Sequence, residues 1–164
     1  MPYMIRNAAM ATTAAQAAVS TGTAIKTMLQ VATPATVMAR VLAWGFSTSE
    51  DEAGIVELLQ TDVAATVTAH VASGVQPLDP GVPAALFTLG TSATGYTASA
   101  EGAITATRTF DVVAMNASSN GLTYSYQFMP DEQPVIPISK FLRVRATFST
   151  AINLRCWVLM EQVG

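Results

Sequence analysis

The sequence predicts an all-β chain: an antiparallel β-sandwich, jelly-roll-like with about eight strands, plus an extended N-terminal arm. Three observations carry that reading. Two C-terminal segments alternate apolar and polar residues with a period of two, the mark of half-buried strands. Short runs rich in β-formers recur between Gly, Pro and Asn/Ser clusters, which punctuate strands rather than helices. No stretch keeps a persuasive helical period. At 164 residues the chain is long enough to bury one sizeable core without disulfides or metal, so residues 23–164 are read as a single domain and 1–22 as the arm.

Taken in order, Ala8 to Gly22 is nearly all Ala and Thr. Ala favours helix, so Ala8 to Ala18 has the composition of a short one, but it lacks the bulk to anchor a core. Two readings fit: an arm that becomes ordered on a neighbouring surface, or a disordered tail. Ala24 to Ala32 is the first predicted strand of the domain and ends at Thr33-Pro34. Thr36 to Ser47 follows and is apolar on both sides, with Val37, Val41 and Ala43 on one face and Met38, Leu42, Trp44 and Phe46 on the other. Such a strand needs cover on both faces.

Ser47 to Glu52 is a polar turn. Ile55 to Gln60 and Ala64 to Val71 are the next two strands. A breaker-rich loop from Ser73 to Pro83 leads into Leu86 to Thr97, which has room for one short irregular strand. Ile104 to Val113 and Leu122 to Phe128 flank a turn at Asn116 to Gly121. Ile138 to Phe148 sets Leu142, Val144, Ala146 and Phe148 against Arg143, Arg145 and Thr147. Ile152 to Glu161 sets Ile152, Leu154, Cys156, Val158 and Met160 against Asn153, Arg155, Trp157 and Glu161. A tight connection between these two predicts an antiparallel hairpin. An immunoglobulin-like sandwich is the rival architecture, but it normally brings a cysteine pair that this chain lacks.

Composition narrows the function. The chain is 51% hydrophobic and only 12% charged, against roughly 25% charged in typical domains. With net charge −3 and its few basic residues scattered, apart from Lys140, Arg143 and Arg145, it has no basic face for nucleic acid. The uncharged stretch from Asn7 to Ile25 is too poor in Leu, Ile and Phe for a membrane-spanning helix, and the first residues lack the pattern of a signal peptide. Scarce charge in such a chain predicts surfaces covered by partners. The six Arg against two Lys suit interfaces, although a GC-rich genome would write the same bias.

Catalytic groups are sparse. His70 is the only histidine and lies in an apolar run, where a hydrogen-bonded structural role is expected; a metal-binding jelly roll would need several. Cys156, the only cysteine, is expected to be a small core residue. Glu50-Asp51-Glu52 and Asp131-Glu132 read as solvated turns, since no calcium-loop spacing supports them. The Leu89 to Gly95 run lacks the Lys of a phosphate-binding loop. Asn116-Ala117-Ser118 is a glycosylation sequon only in a secretory context. No catalytic residue, metal or cofactor is expected.

The informative residues are bulky ones on faces that should be wet. Met38, Leu42, Trp44, Phe141 and Trp157 are the predicted subunit contacts, because aromatic, Met and Arg residues grouped on a surface have the composition of an interface. The stretches Gly95 to Ala98, Ala100 to Arg108, Phe141 to Arg145 and Ile152 to Val158 resemble small capsid decoration (cement) proteins of tailed bacteriophages, especially those of actinobacteria. The resemblance covers roughly Leu86 to the end. It implies a jelly-roll-type domain, commonly a homotrimer, on the outer surface of a virion, with the major capsid protein as partner. On that view Pro2, Tyr3, Ile5 and Arg6 are expected to touch the capsid. The alternative is a fibre-head or lectin-like module that grips a host glycan through loops such as Gln76 to Pro83.

Overall fold

The computed structural model describes residues 1–10, 12–117 and 120–164. Thirteen strands are formed among the described residues: β1 (Pro2–Arg6), β2 (Val19–Ser20), β3 (Lys26–Ala32), β4 (Met38–Thr48), β5 (Gly54–Thr61), β6 (Thr66–Ala69), β7 (Val75–Pro77), β8 (Gly95–Ala100), β9 (Thr107–Met115), β10 (Thr123–Gln127), β11 (Val135–Ile136), β12 (Phe141–Phe148) and β13 (Asn153–Val163). They make two antiparallel sheets packed face to face as a β-sandwich. The first sheet runs β10-β4-β13-β1-β7, with β11 continuing beside β4 and β2 beside β13. The second runs β6-β8-β3-β12-β5-β9. One 3-10 turn, Ala72–Gly74, is the only helical element among the described residues.

The expected N-terminal arm is corrected at its start. Pro2 to Arg6 is an interior strand, paired with β13 on one side and β7 on the other. Its alternation is the cause: Tyr3 and Ile5 point inward and are buried, while Pro2, Met4 and Arg6 point out. Asn7 then extends the ladder with its side chain. Its amide accepts from the Cys156 N–H at 2.9 Å and donates to the Leu154 carbonyl at 3.0 Å. The described residues of 8–18 contain no helix and form an excursion between β1 and β2, both seated on β13. Part of the predicted helix, Ala11, lies outside the described residues, as does Ser118 of the sequon.

The doubly apolar strand is explained by a β-bulge. Leu159 of β13 faces Ala43, but the next residue, Met160, faces Val41, so Leu42 is an extra residue in β4. A bulge reverses which parity points inward. Ala39 and Val41 are buried before it, and Trp44 and Phe46 after it. The apolar stretch is therefore mainly one core face with its phase shifted, which leaves Met38 and Leu42 pointing outward.

The predicted β12–β13 hairpin is also corrected. β12 pairs with β3 and β5 in the second sheet, and β13 pairs with β1, β2 and β4 in the first. The short connection at 149–152 crosses between sheets. The two alternating faces meet across the sandwich, where Leu142, Val144, Ala146 and Phe148 join Leu154, Cys156, Val158 and Met160 in one core.

The outer face of the second sheet is partly roofed by its own chain. Arg143 is completely buried there. Its guanidinium donates to Glu101 Oε2 at 2.9 Å, the Glu101 carbonyl at 3.1 Å and the Val63 carbonyl at 2.5 Å. Glu101 in turn accepts from the Thr27 hydroxyl and N–H. Ala65, Val67 and Ala98 form a small second cluster.

Candidate functional site

The surface best equipped for recognition is the outer face of the first sheet. Register fixes its members. Trp157 lies between Arg6 and Gly45; Leu159 lies between Met4 and Ala43; Met4 is flanked beyond by Gln76. Met4, Leu42, Trp157 and Leu159 are all half-buried, so each keeps apolar surface in water. A Cβ on Gly45 would come within 2.7 Å of the Trp157 ring, so the indole packs against β4 where that strand has no side chain. Polar groups border this patch: Arg155 donates to the Gln16 carbonyl at 3.2 Å, and Arg40 pairs with Glu161 at 3.0 Å. An apolar centre with an Arg-containing rim is the anatomy of a protein interface.

The predicted contacts divide unequally over the molecule. Leu42 and Trp157 belong to this face, and Met38 is exposed at the start of β4. Trp44 does not. It is fully buried, packed on Phe46 and Tyr124, with its indole N–H donated to Asp111 at 3.0 Å. Phe141 is half-buried in the second sheet, paired with Ala32 and Thr61, and joins neither group. Of the predicted capsid contacts, Pro2 and Arg6 face outward, whereas Tyr3 and Ile5 are core residues. The Tyr3 hydroxyl donates to the Pro83 carbonyl at 3.0 Å, tying down the end of the Gln76 to Pro83 loop. Sequence reading missed Met4 and Leu159; their alternation with Tyr3, Ile5, Val158 and Met160 was the available signal.

The chemically versatile groups serve the fold. His70 is buried, with Nε2 at 2.7 Å from the Arg6 carbonyl, its ring 4.9 Å from that of Tyr96, and Gly74 pressed against its other edge. Nε2 therefore carries the proton and donates it. Burial pushes the imidazole below its ordinary value, only partly opposed by that hydrogen bond. Cys156 is buried in the core and its thiol is pushed well up by desolvation, which removes the thiolate that reactivity needs. Glu50 is more than a solvated turn residue. It accepts the N–H and the side-chain amide of Asn153 at 2.9 and 2.8 Å, and these bonds hold its carboxyl below the usual value. Among the described residues no three His, Cys, Asp or Glu side chains converge as a metal site, and no helix is long and apolar enough to cross a membrane.

No family model, curated protein or solved structure matched the chain in the three comparisons made.

Proposed function

We propose that this chain is a non-enzymatic virion structural protein, a capsid decoration or cement protein that binds the outer surface of a major capsid shell and stabilises it. The observation that carries the reading is the unpartnered apolar face built on Met4, Leu42, Trp157 and Leu159, on a chain with only 12% charged residues. The strand order β1-β13-β4-β10 facing β3-β12-β5-β9 supports the jelly-roll reading, an architecture shared by capsid and lectin domains.

The mechanism is additive burial. The apolar face is buried between copies, worth about 25 cal/mol per Å² removed from water, and each copy makes a modest contact with the shell. Assembly as a homotrimer multiplies that contact through effective concentration. Met4 and Leu159 join Leu42 and Trp157 in the contact set, Trp44 and Phe141 leave it, and Pro2 and Arg6 remain the outward groups of β1. Co-sedimentation of the purified protein with empty expanded shells of a tailed-bacteriophage major capsid protein tests the proposal. Saturable binding that Leu159→Glu abolishes is expected. Absence of binding to such shells would overturn it.

A further inference from the structure

We infer that a cleft at one end of the sandwich is a binding site for a neutral saccharide. The cleft holds about 320 Å³ and lies between three loops: Ala32 to Ala35, Thr88 to Ala93 and Ser139 to Phe141. That volume suits a single sugar ring, near the lower end of small-ligand sites. No charged side chain lines it, which disfavours phosphates, carboxylates and amines as ligands.

Its lining is instead hydroxyls and one aromatic ring. Thr88, Thr91, Ser92 and Ser139 contribute hydroxyl groups, with Thr88, Thr91 and Ser139 exposed and Ser92 half-buried. A hydroxyl can both donate and accept, the dual capacity that matches sugar hydroxyls. Phe141 supplies an apolar ring, half-buried and accessible from the cleft. Sugars present both an edge of hydroxyls and a face of C–H groups, and this lining answers both.

The walls are held in advance. Thr88 N–H donates to the Ala32 carbonyl at 3.0 Å, and Ala32 N–H donates to the Thr94 hydroxyl at 3.0 Å. The buried Thr33 hydroxyl donates to the Pro137 carbonyl at 2.6 Å and accepts from Lys140 N–H at 3.0 Å. Gln30 braces the middle loop through the Ala93 carbonyl at 2.7 Å. Rigid walls lower the ordering cost of binding. Two cleft residues, Ser92 and Ser139, also sit in the left-handed region at φ 57° and 55°. Glycine would occupy such positions without strain; serine there keeps a hydroxyl at each rim of the cleft. This site is independent of the apolar face on the first sheet.

The test is saturation-transfer NMR of the full chain against methyl glycosides of glucose, galactose and mannose, followed by titration of those that respond. Saturable binding of at least one glycoside is expected. Ser92→Gly/Ser139→Gly should raise the melting temperature by relieving strain, yet weaken binding about tenfold, the equivalent of one or two hydrogen bonds. Thr91→Val, an exposed substitution of similar volume, should weaken binding without changing the melting temperature. No saturable binding by any of the three glycosides, or binding unchanged in both variants, would overturn the assignment.

Discussion

Trp44 of one sheet donates its indole N–H to Asp111 of the other at 3.0 Å, linking the sheets at the β9–β10 side of the sandwich. The same carboxylate oxygen accepts the Tyr124 hydroxyl at 2.7 Å. Burial and the neighbouring Asp111 push the Tyr124 phenol up to about 12. Asp111→Asn should therefore cost about 1–3 kcal/mol, the price of a disturbed hydrogen bond to a charged group. Tyr124 should then ionise closer to its ordinary value, read by ultraviolet titration. In the native chain the phenol's contribution is complete below pH 10, where the unfolded chain keeps its proton, and is lost as pH rises toward about 12.

The two tryptophans should behave as opposites. Trp44→Ala empties a fully buried site and is expected to cost about 3–5 kcal/mol in urea unfolding. Trp157→Ala removes a half-buried outer ring and should cost about 1 kcal/mol in the isolated subunit. Equal losses would mean that β4 lacks the phase shift at Leu42.

Gly45→Ala should destabilise strongly despite its small size. The added methyl would lie 2.6 Å from the Tyr124 carbonyl oxygen and 2.7 Å from the Trp157 ring. The indole has room to move toward solvent, but the backbone carbonyl does not. A cost of about 1–3 kcal/mol, typical of overpacking, should appear with a red-shifted Trp157 emission.

Acid should weaken the fold in two stages. His70 is buried neutral, so its folded pKa lies below the ordinary 6.5. The unfolded chain takes up that proton first, and stability falls as pH drops below 6.5 until the folded imidazole also titrates. His70→Gln, which keeps a donor for the Arg6 carbonyl, should flatten this first stage. The second stage belongs to carboxylates. Asp62, held down to about 2 by Thr105 and Ala106, loses its contribution as pH falls from 3.8 toward that value, and Glu50 shifts in the same direction. Urea midpoints measured against pH separate the two.

Arg143→Lys should cost most of what Arg143→Met costs. A lysine keeps the charge but cannot reach Glu101 and Val63 together as the guanidinium fork does. Breaking a buried pair typically loses about 3–5 kcal/mol, and the partly exposed Glu101 places this one toward the lower end. Thermal unfolding of the two variants beside Arg143→Met/Glu101→Gln separates the pair from its packing.

The sandwich was legible because alternation reports which residues are half-buried. Leu142, Val144, Ala146 and Phe148 read as one core face for that reason, and Leu154, Cys156, Val158 and Met160 as another, and all of these are buried. Alternation does not report the partner strand, so two inner faces that meet across the core read as a hairpin. A single bulge at Leu42 misassigned Trp44, since nothing in the local sequence marks the extra residue. Alternation sets Arg143 opposite the apolar face but does not show it buried, because its roof, Val63 and Glu101, comes from distant segments. Tyr3 and Ile5 read as part of an arm because the neighbouring Ala/Thr tract masks a five-residue strand.

Sedimentation velocity of the purified chain across a range of concentrations tests whether the outer face of the first sheet is an assembly surface. An oligomer is expected for the native protein and a folded monomer for Trp157→Glu/Leu159→Glu. An unchanged sedimentation coefficient in that variant, or a native chain that stays monomeric at every concentration, would contradict it.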